Sequence, residues 1–156
     1  MLRLGTRIAG LLRAGDLVVL GGDLGAGKTT LTRGLGAALG VRGRIASPTF
    51  VISRVHPATA AGGPDLVHVD AYRVAGAGEV ADLDLEESLP DSVTVVEWGA
   101  GLVEGLAPDR LEVTLHRTAR VPASAEADDP SAAVRLVQVA GVGVRWAGVD
   151  LATALG

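Results

Sequence analysis

The sequence predicts an α/β domain with a mixed sheet, parallel in part and antiparallel in part, flanked by helices. Three observations predict it. A strand-like run, Asp16-Leu17-Val18-Val19-Leu20, leads into Gly22-Asp23-Leu24-Gly25-Ala26-Gly27-Lys28-Thr29, which fills every defined position of the phosphate-binding pattern G-x-x-x-x-G-K-[ST]. Apolar residues at helical spacing begin directly after it. Further short apolar runs are separated by Gly and Pro segments, and two of them lie close enough to pair antiparallel. Strand, glycine-rich loop and helix in that order make the domain P-loop NTPase-like.

The elements follow in order. Leu4, Ile8, Leu11 and Leu12 share one face of a helix over 2–13. Arg3, Arg7 and Arg13 without any acid in that stretch also resemble a targeting presequence, but the segment runs straight into the first strand, and a packed first helix is the better reading. A strand at 17–20 precedes the loop. The helix over 28–39 has Leu31, Leu35, Ala38 and Leu39 as its core face, and Gly40 ends it as a C-cap. Pro48 forbids helix in 46–53, so the β-branched residues after it form a strand. A loop at 57–65 leads to the strand Asp65-Leu66-Val67-His68-Val69-Asp70. The acid-rich stretch 79–89 forms one or two short solvated helices rather than a metal site. Val93-Thr94-Val95-Val96-Glu97 is apolar enough for a central strand. The partial alternation in 110–117 suggests a half-exposed or edge strand, 118–132 is a mobile loop, and a strand at 134–139 and a helix near 149–155 close the chain.

Composition narrows the function. With 156 residues there is room for one domain, 1–156, and little for a second. A net charge of -4 from 14 basic and 18 acidic side chains argues against a broad basic face for nucleic acid. No cysteine is present, which removes disulfides, thiolate catalysis and Cys-based metal sites. No apolar run approaches the ~18 residues of a bilayer span.

The loop carries the chemistry. Its glycines let backbone N–H groups approach phosphate oxygens, and the following helix adds its N-terminal dipole. Lys28 is the only lysine among the 14 basic residues and stands where a compact point charge reaches the β and γ phosphates. The hydroxyl of Thr29 suits a magnesium ion bridging those phosphates. A second acid is required at the carboxyl end of a nearby strand, and Asp70 and Glu97 both qualify. The absence of asparagine, together with the single lysine, excludes the guanine-reading motif of Ras-type GTPases and favours ATP.

Taken together, Gly22 to Thr30, Ser47-Pro48-Thr49-Phe50, His68-Val69-Asp70-Ala71-Tyr72-Arg73 and Val96-Glu97-Trp98-Gly99 resemble the bacterial TsaE family, also called YjeE, in order and spacing over about residues 2–117. The resemblance implies a magnesium-dependent ATPase needed for threonylcarbamoyladenosine modification of tRNA. It implies that Asp23, Gly25, Ala26, Gly27, Lys28, Thr29 and Thr30 hold ATP and that Thr29 and Glu97 coordinate Mg2+. Asp70 would orient the attacking water, with Lys28 as the second catalytic residue. Ser47-Pro48-Thr49 would sense the γ phosphate, Thr49 touching the nucleotide. Trp98 would lie near the nucleotide or serve as core packing. Tyr72 and Arg73 are either catalytic or sheet-edge packing and a surface ion pair. The implied partners are the proteins TsaD and TsaB, with tRNA touched only indirectly, no membrane, and a cytoplasmic location. Family members usually carry an extra strand and polar segment before the first helix; with Met1 almost at the helix, either the start lies further upstream or adenine contacts are reduced. Two other readings remain: a small P-loop kinase acting on a metabolite, with Arg117 and Arg120 as lid residues, and a nucleotide-responsive adaptor without turnover.

Overall fold

The computed structural model describes residues 1–47, 52–74, 76–117 and 135–156. Its centre is a six-stranded sheet of order β2-β3-β4-β1-β5-β6, formed by β1 (Leu17–Gly22), β2 (Ser53–His56), β3 (Asp65–Asp70), β4 (Ser92–Glu97), β5 (Arg110–Arg117) and β6 (Arg135–Val142). The pairs β3–β4, β4–β1 and β1–β5 are parallel, while β2 and β6 are antiparallel edges. The mixed sheet expected from sequence is therefore observed. The antiparallel β2 edge follows from the short β2–β3 connection, which is too brief for the crossover a parallel pair needs.

Parallel strands are buried on both faces, and the burial of β4 along its whole length places it centrally, as its apolar run predicts. Val18, Leu20, Val93, Val95, Leu111, Val113 and Leu115 face one layer, with Leu31 and Leu35 of α2 (Lys28–Leu39) and Ile8 of α1 (Leu2–Ala9) packed on them. Leu17, Val19, Val67, Val69 and Val96 face the other, under Val80 of α3 (Ala77–Ala81) and Leu85 of α4 (Leu85–Ser88). Each of these fully buried aliphatic side chains contributes about 1.5–3 kcal/mol.

Helices α1 and α2 cross at two glycines. A Cβ on Gly5 would lie 2.3 Å from the carbonyl oxygen of Leu31, and one on Gly34 would lie 2.3 Å from that of Leu2. A glycine inside a helix costs about 1 kcal/mol relative to alanine; the backbone approach it permits presses α2, and with it the loop before it, onto the sheet. At the carboxyl end the C-cap Gly40 has φ 69°, as its position predicts.

Several boundaries differ from expectation. α1 stops at Ala9 rather than residue 13, yet Leu11 and Leu12 still pack on the core. Ala38 is exposed, because the buried face of α2 runs through Leu31, Thr32, Gly34, Leu35 and Gly36. Of the strand expected over 46–53, residues 48–51 lie outside the described residues; β2 runs from Ser53 to His56 and pairs with β3. β5 is half-exposed as its alternation suggests but internal, since β6 covers its edge. The last helix, α5, spans Leu151–Leu155. The loop expected at 118–132 lies outside the described residues.

Candidate phosphate-binding site

The glycine-rich loop leaves β1 where Gly22 pairs with Leu115. Gly22 has φ 117°, and a Cβ there would meet the Leu115 carbonyl oxygen at 2.1 Å, so only glycine allows the turn. Asp23, Leu24 and Gly25 are exposed and Ala26 is buried, its N–H bonded to the Asp23 carbonyl at 3.1 Å. Gly27 caps α2 with no side-chain hydrogen bond. The first N–H groups of a helix have no intrahelical acceptor; at Lys28, Thr29 and Thr30 they are offered, with the helix dipole, to an anion.

Lys28 is 5% exposed. Its Nζ donates to the carbonyl oxygens of Gly22 at 2.7 Å and Asp23 at 2.9 Å and lies 3.6 Å from the centre of the Trp98 ring. Burial lowers its pKa below the usual 10.5, while Glu97, Asp70 and Asp23 oppose that shift. The result is a partly desolvated cation enclosed by loop carbonyls, an aromatic face and nearby carboxylates.

The carboxyl ends of β1, β4 and β3 meet at one level, with Leu20 beside Glu97 and Glu97 beside Asp70. Thr29 Oγ1 donates to Glu97 Oε2 at 3.1 Å, joining α2 to β4. Asp70 accepts from Ser47 Oγ at 2.8 Å and from the Tyr72 N–H at 3.1 Å. Trp98 follows Glu97 with φ 63°, a left-handed conformation that a bulky residue rarely adopts and that marks functional positions. Its N–H bonds to the Leu20 carbonyl at 2.9 Å, and its ring lies 5.1 Å from that of Tyr72. Trp98 also packs against the second core.

Of the residues expected at the site, Asp23, Gly25, Ala26, Gly27, Lys28, Thr29, Thr30, Asp70, Glu97 and Trp98 are gathered around the loop and the three strand ends. Thr49 lies outside the described residues. Sequence reasoning missed His68. Its Nε2 lies 2.8 Å from Glu97 Oε1 with both side chains buried; a histidine within an otherwise apolar strand, two residues before Asp70, was the available signal. The donors able to hold a cation here are the Thr29 hydroxyl and the Glu97 carboxylate, both hard oxygen ligands. A cavity of about 710 Å³ lies instead by the second layer, lined by Val80, Leu85, Leu102 and Leu106 with Asp84 and Glu87, and no residue of the glycine-rich loop borders it.

A six-stranded mixed sheet, with a glycine-rich loop between a central strand and an uncapped helix, defines a P-loop NTPase-like α/β domain. Its particular kind follows from comparison with known sequences. The sequence model of the family described as "Threonylcarbamoyl adenosine biosynthesis protein TsaE" matches residues 1–124, and the chain belongs to this family. The tRNA threonylcarbamoyladenosine biosynthesis protein TsaE of Streptomyces coelicolor is 57% identical over 157 residues, covering 100% of both chains. That of Mycobacterium leprae is 48% identical over 120 residues, 73% of this chain and 74% of its own. The crystal structure of Bacillus subtilis YdiB is similar in fold, with a TM-score of 0.58 and 32% identity over 75% of this chain and 70% of that one. No described helix is long and apolar enough to cross a membrane.

Proposed function

We propose that the chain is a magnesium-dependent ATPase that supports threonylcarbamoyladenosine modification of tRNA through ATP binding and hydrolysis coupled to the partner proteins TsaD and TsaB. The observation that carries this reading is the Thr29 to Glu97 contact beside the uncapped start of α2. It sets a hydroxyl and a carboxylate next to the first amides of a helix, which lack intrahelical acceptors, the arrangement a metal-bound polyphosphate needs.

Each residue then has a task. The loop amides and the α2 dipole hold the phosphates, and Lys28 turns its ammonium from the carbonyls of Gly22 and Asp23 to the β and γ oxygens. Thr29 and Glu97 would hold Mg2+, whose charge, when bound, would offset that developing on the phosphates. Two protein oxygens suffice for a cation that takes few protein ligands and completes its shell with water and phosphate. Asp70, opposite Glu97, orients a water in line with the γ phosphate. Its link to Ser47 ties this acid to the segment expected to sense that phosphate. The family's association with tRNA modification, together with a net charge of -4, supports action through partner proteins rather than on RNA directly, and a cytoplasmic location goes with that reading.

Steady-state ATP hydrolysis tests the reading, measured for the purified chain alone and with TsaB and TsaD. Slow turnover that changes when the pair is added is expected. Turnover indifferent to the pair but raised by a small-molecule phosphate acceptor would replace this reading with a kinase.

A further inference from the structure

Asp70 and Glu97 stand directly opposite each other on β3 and β4, and like charges across a strand pair repel. Their hydrogen bonds separate them. Asp70 is held toward Ser47 and the Tyr72 amide. Glu97 is held at both oxygens, Oε2 by Thr29 and Oε1 by His68.

His68 is fully buried beside a carboxylate that is 3% exposed. An ionised carboxylate only accepts, so Nε2 carries the hydrogen of this bond. Nδ1 is buried and has no hydrogen-bond partner among the described residues. The whole polar capacity that the ring uses is therefore directed at Glu97. Packing alone would be served by an aliphatic side chain, as at the neighbouring Leu66, Val67 and Val69, without burying a polar ring.

We propose that His68 is a positioning residue: by holding Oε1 it keeps Oε2 turned to Thr29, so that Glu97 offers a cation one oxygen, and so makes the metal site discriminate Mg2+ from Ca2+. The proposal rests on the reading of Glu97 as a metal ligand. Mg2+ demands near-ideal octahedral geometry and takes carboxylates through one oxygen, whereas Ca2+ accepts more ligands and two-oxygen carboxylates. For Glu97 to turn both oxygens to one cation, the carboxylate must rotate from the orientation in which Oε1 faces His68 and Oε2 faces Thr29, which loosens the bond to a buried N–H. The histidine thus penalises the coordination mode that Ca2+ can use and Mg2+ does not need.

The test is equilibrium binding of a fluorescent ATP analogue, titrated separately with Mg2+ and Ca2+, in the wild type and in His68→Leu, His68→Gln and His68→Asn. A glutamine amide nitrogen takes the place of Nε2 and can still reach Glu97; an asparagine amide nitrogen takes the place of Nδ1 and cannot. His68→Leu and His68→Asn should weaken the half-saturating Mg2+ concentration about tenfold or more, the range for lost outer-shell partners, and should narrow the preference for Mg2+ over Ca2+. His68→Gln should keep both. Unchanged half-saturation and unchanged preference in folded His68→Leu overturn the proposal. If His68→Leu fails to fold, equal behaviour of the Gln and Asn variants overturns it. Wild-type binding that ignores both cations removes the metal reading itself, and the proposal with it.

Discussion

Thr29 Oγ1 lies 3.1 Å from Glu97 Oε2 although 68 residues separate them in the chain. The contact exists because β1 and β4 pair in parallel with Leu20 beside Glu97, so the loop after β1 and the end of β4 open on the same edge of the sheet. Ligands in open α/β sheets gather at that edge.

From this contact, Glu97→Ala is expected to weaken the magnesium dependence of ATP-analogue binding. An Mg2+ titration that superimposes on the wild type would place the metal ligand elsewhere. His68 would be left buried without its acceptor, so a thermal melt of the variant should also show a loss of about 1–3 kcal/mol.

Lys28→Ala should lose most triphosphate affinity, because it removes a charge-assisted contact of about 1.5–3 kcal/mol. Fluorescence titration with an ATP analogue measures this, and unchanged affinity would sink the assignment of the loop.

The pH dependence of Lys28 has a definite sign. Its pKa in the fold is lowered from 10.5 by burial. Between the lowered value and 10.5 the unfolded chain binds more protons, so this group makes stability rise with pH in that window; below it, the cost of burying the charge is present in full. Phosphate binding needs the charged form. ATP affinity should therefore fall as pH rises through the lowered pKa, before the ordinary lysine value is reached. Affinity that stays flat up to pH 10.5 would refute the direct phosphate contact.

Asp70→Ala should retain ATP binding and lose turnover by about a hundredfold or more, the scale of a positioned acid or base. Single-turnover hydrolysis separates the two steps, and normal hydrolysis would remove Asp70 from the reaction.

Gly5→Ala should destabilise the fold without touching the site. The added Cβ meets backbone, the Leu31 carbonyl oxygen, at 2.3 Å, and overpacking of this kind costs about 1–3 kcal/mol. For a chain of this size each kcal/mol lowers the melting temperature by roughly 2–4 °C. A melting temperature equal to the wild type would mean that the two helices do not approach as closely as their glycines allow.

Much of the site was legible before folding. Gly22 through Thr29 dictates its own conformation, since its glycines admit backbone angles that other residues avoid, and the apolar runs ending at Asp70 and Glu97 announce strand ends. Boundaries were less legible: Ala38 has the spacing of a core residue, but the buried face runs through Gly34, where α1 packs, and Gly36, where Ile45 and Leu66 pack. His68 reads as one more position in a buried strand until β3 is laid beside β4.

By itself, then, the sequence determined the elements and the phosphate loop, because local backbone freedom, hydrophobic period and residue chemistry act over a few neighbouring positions. Only the tertiary structure decided that His68 holds Glu97, that Lys28 lies against Trp98, and that Asp70 faces Glu97. Those relationships depend on strand order and register, which are set by the packing of both sheet faces together and are written in no single stretch of the chain.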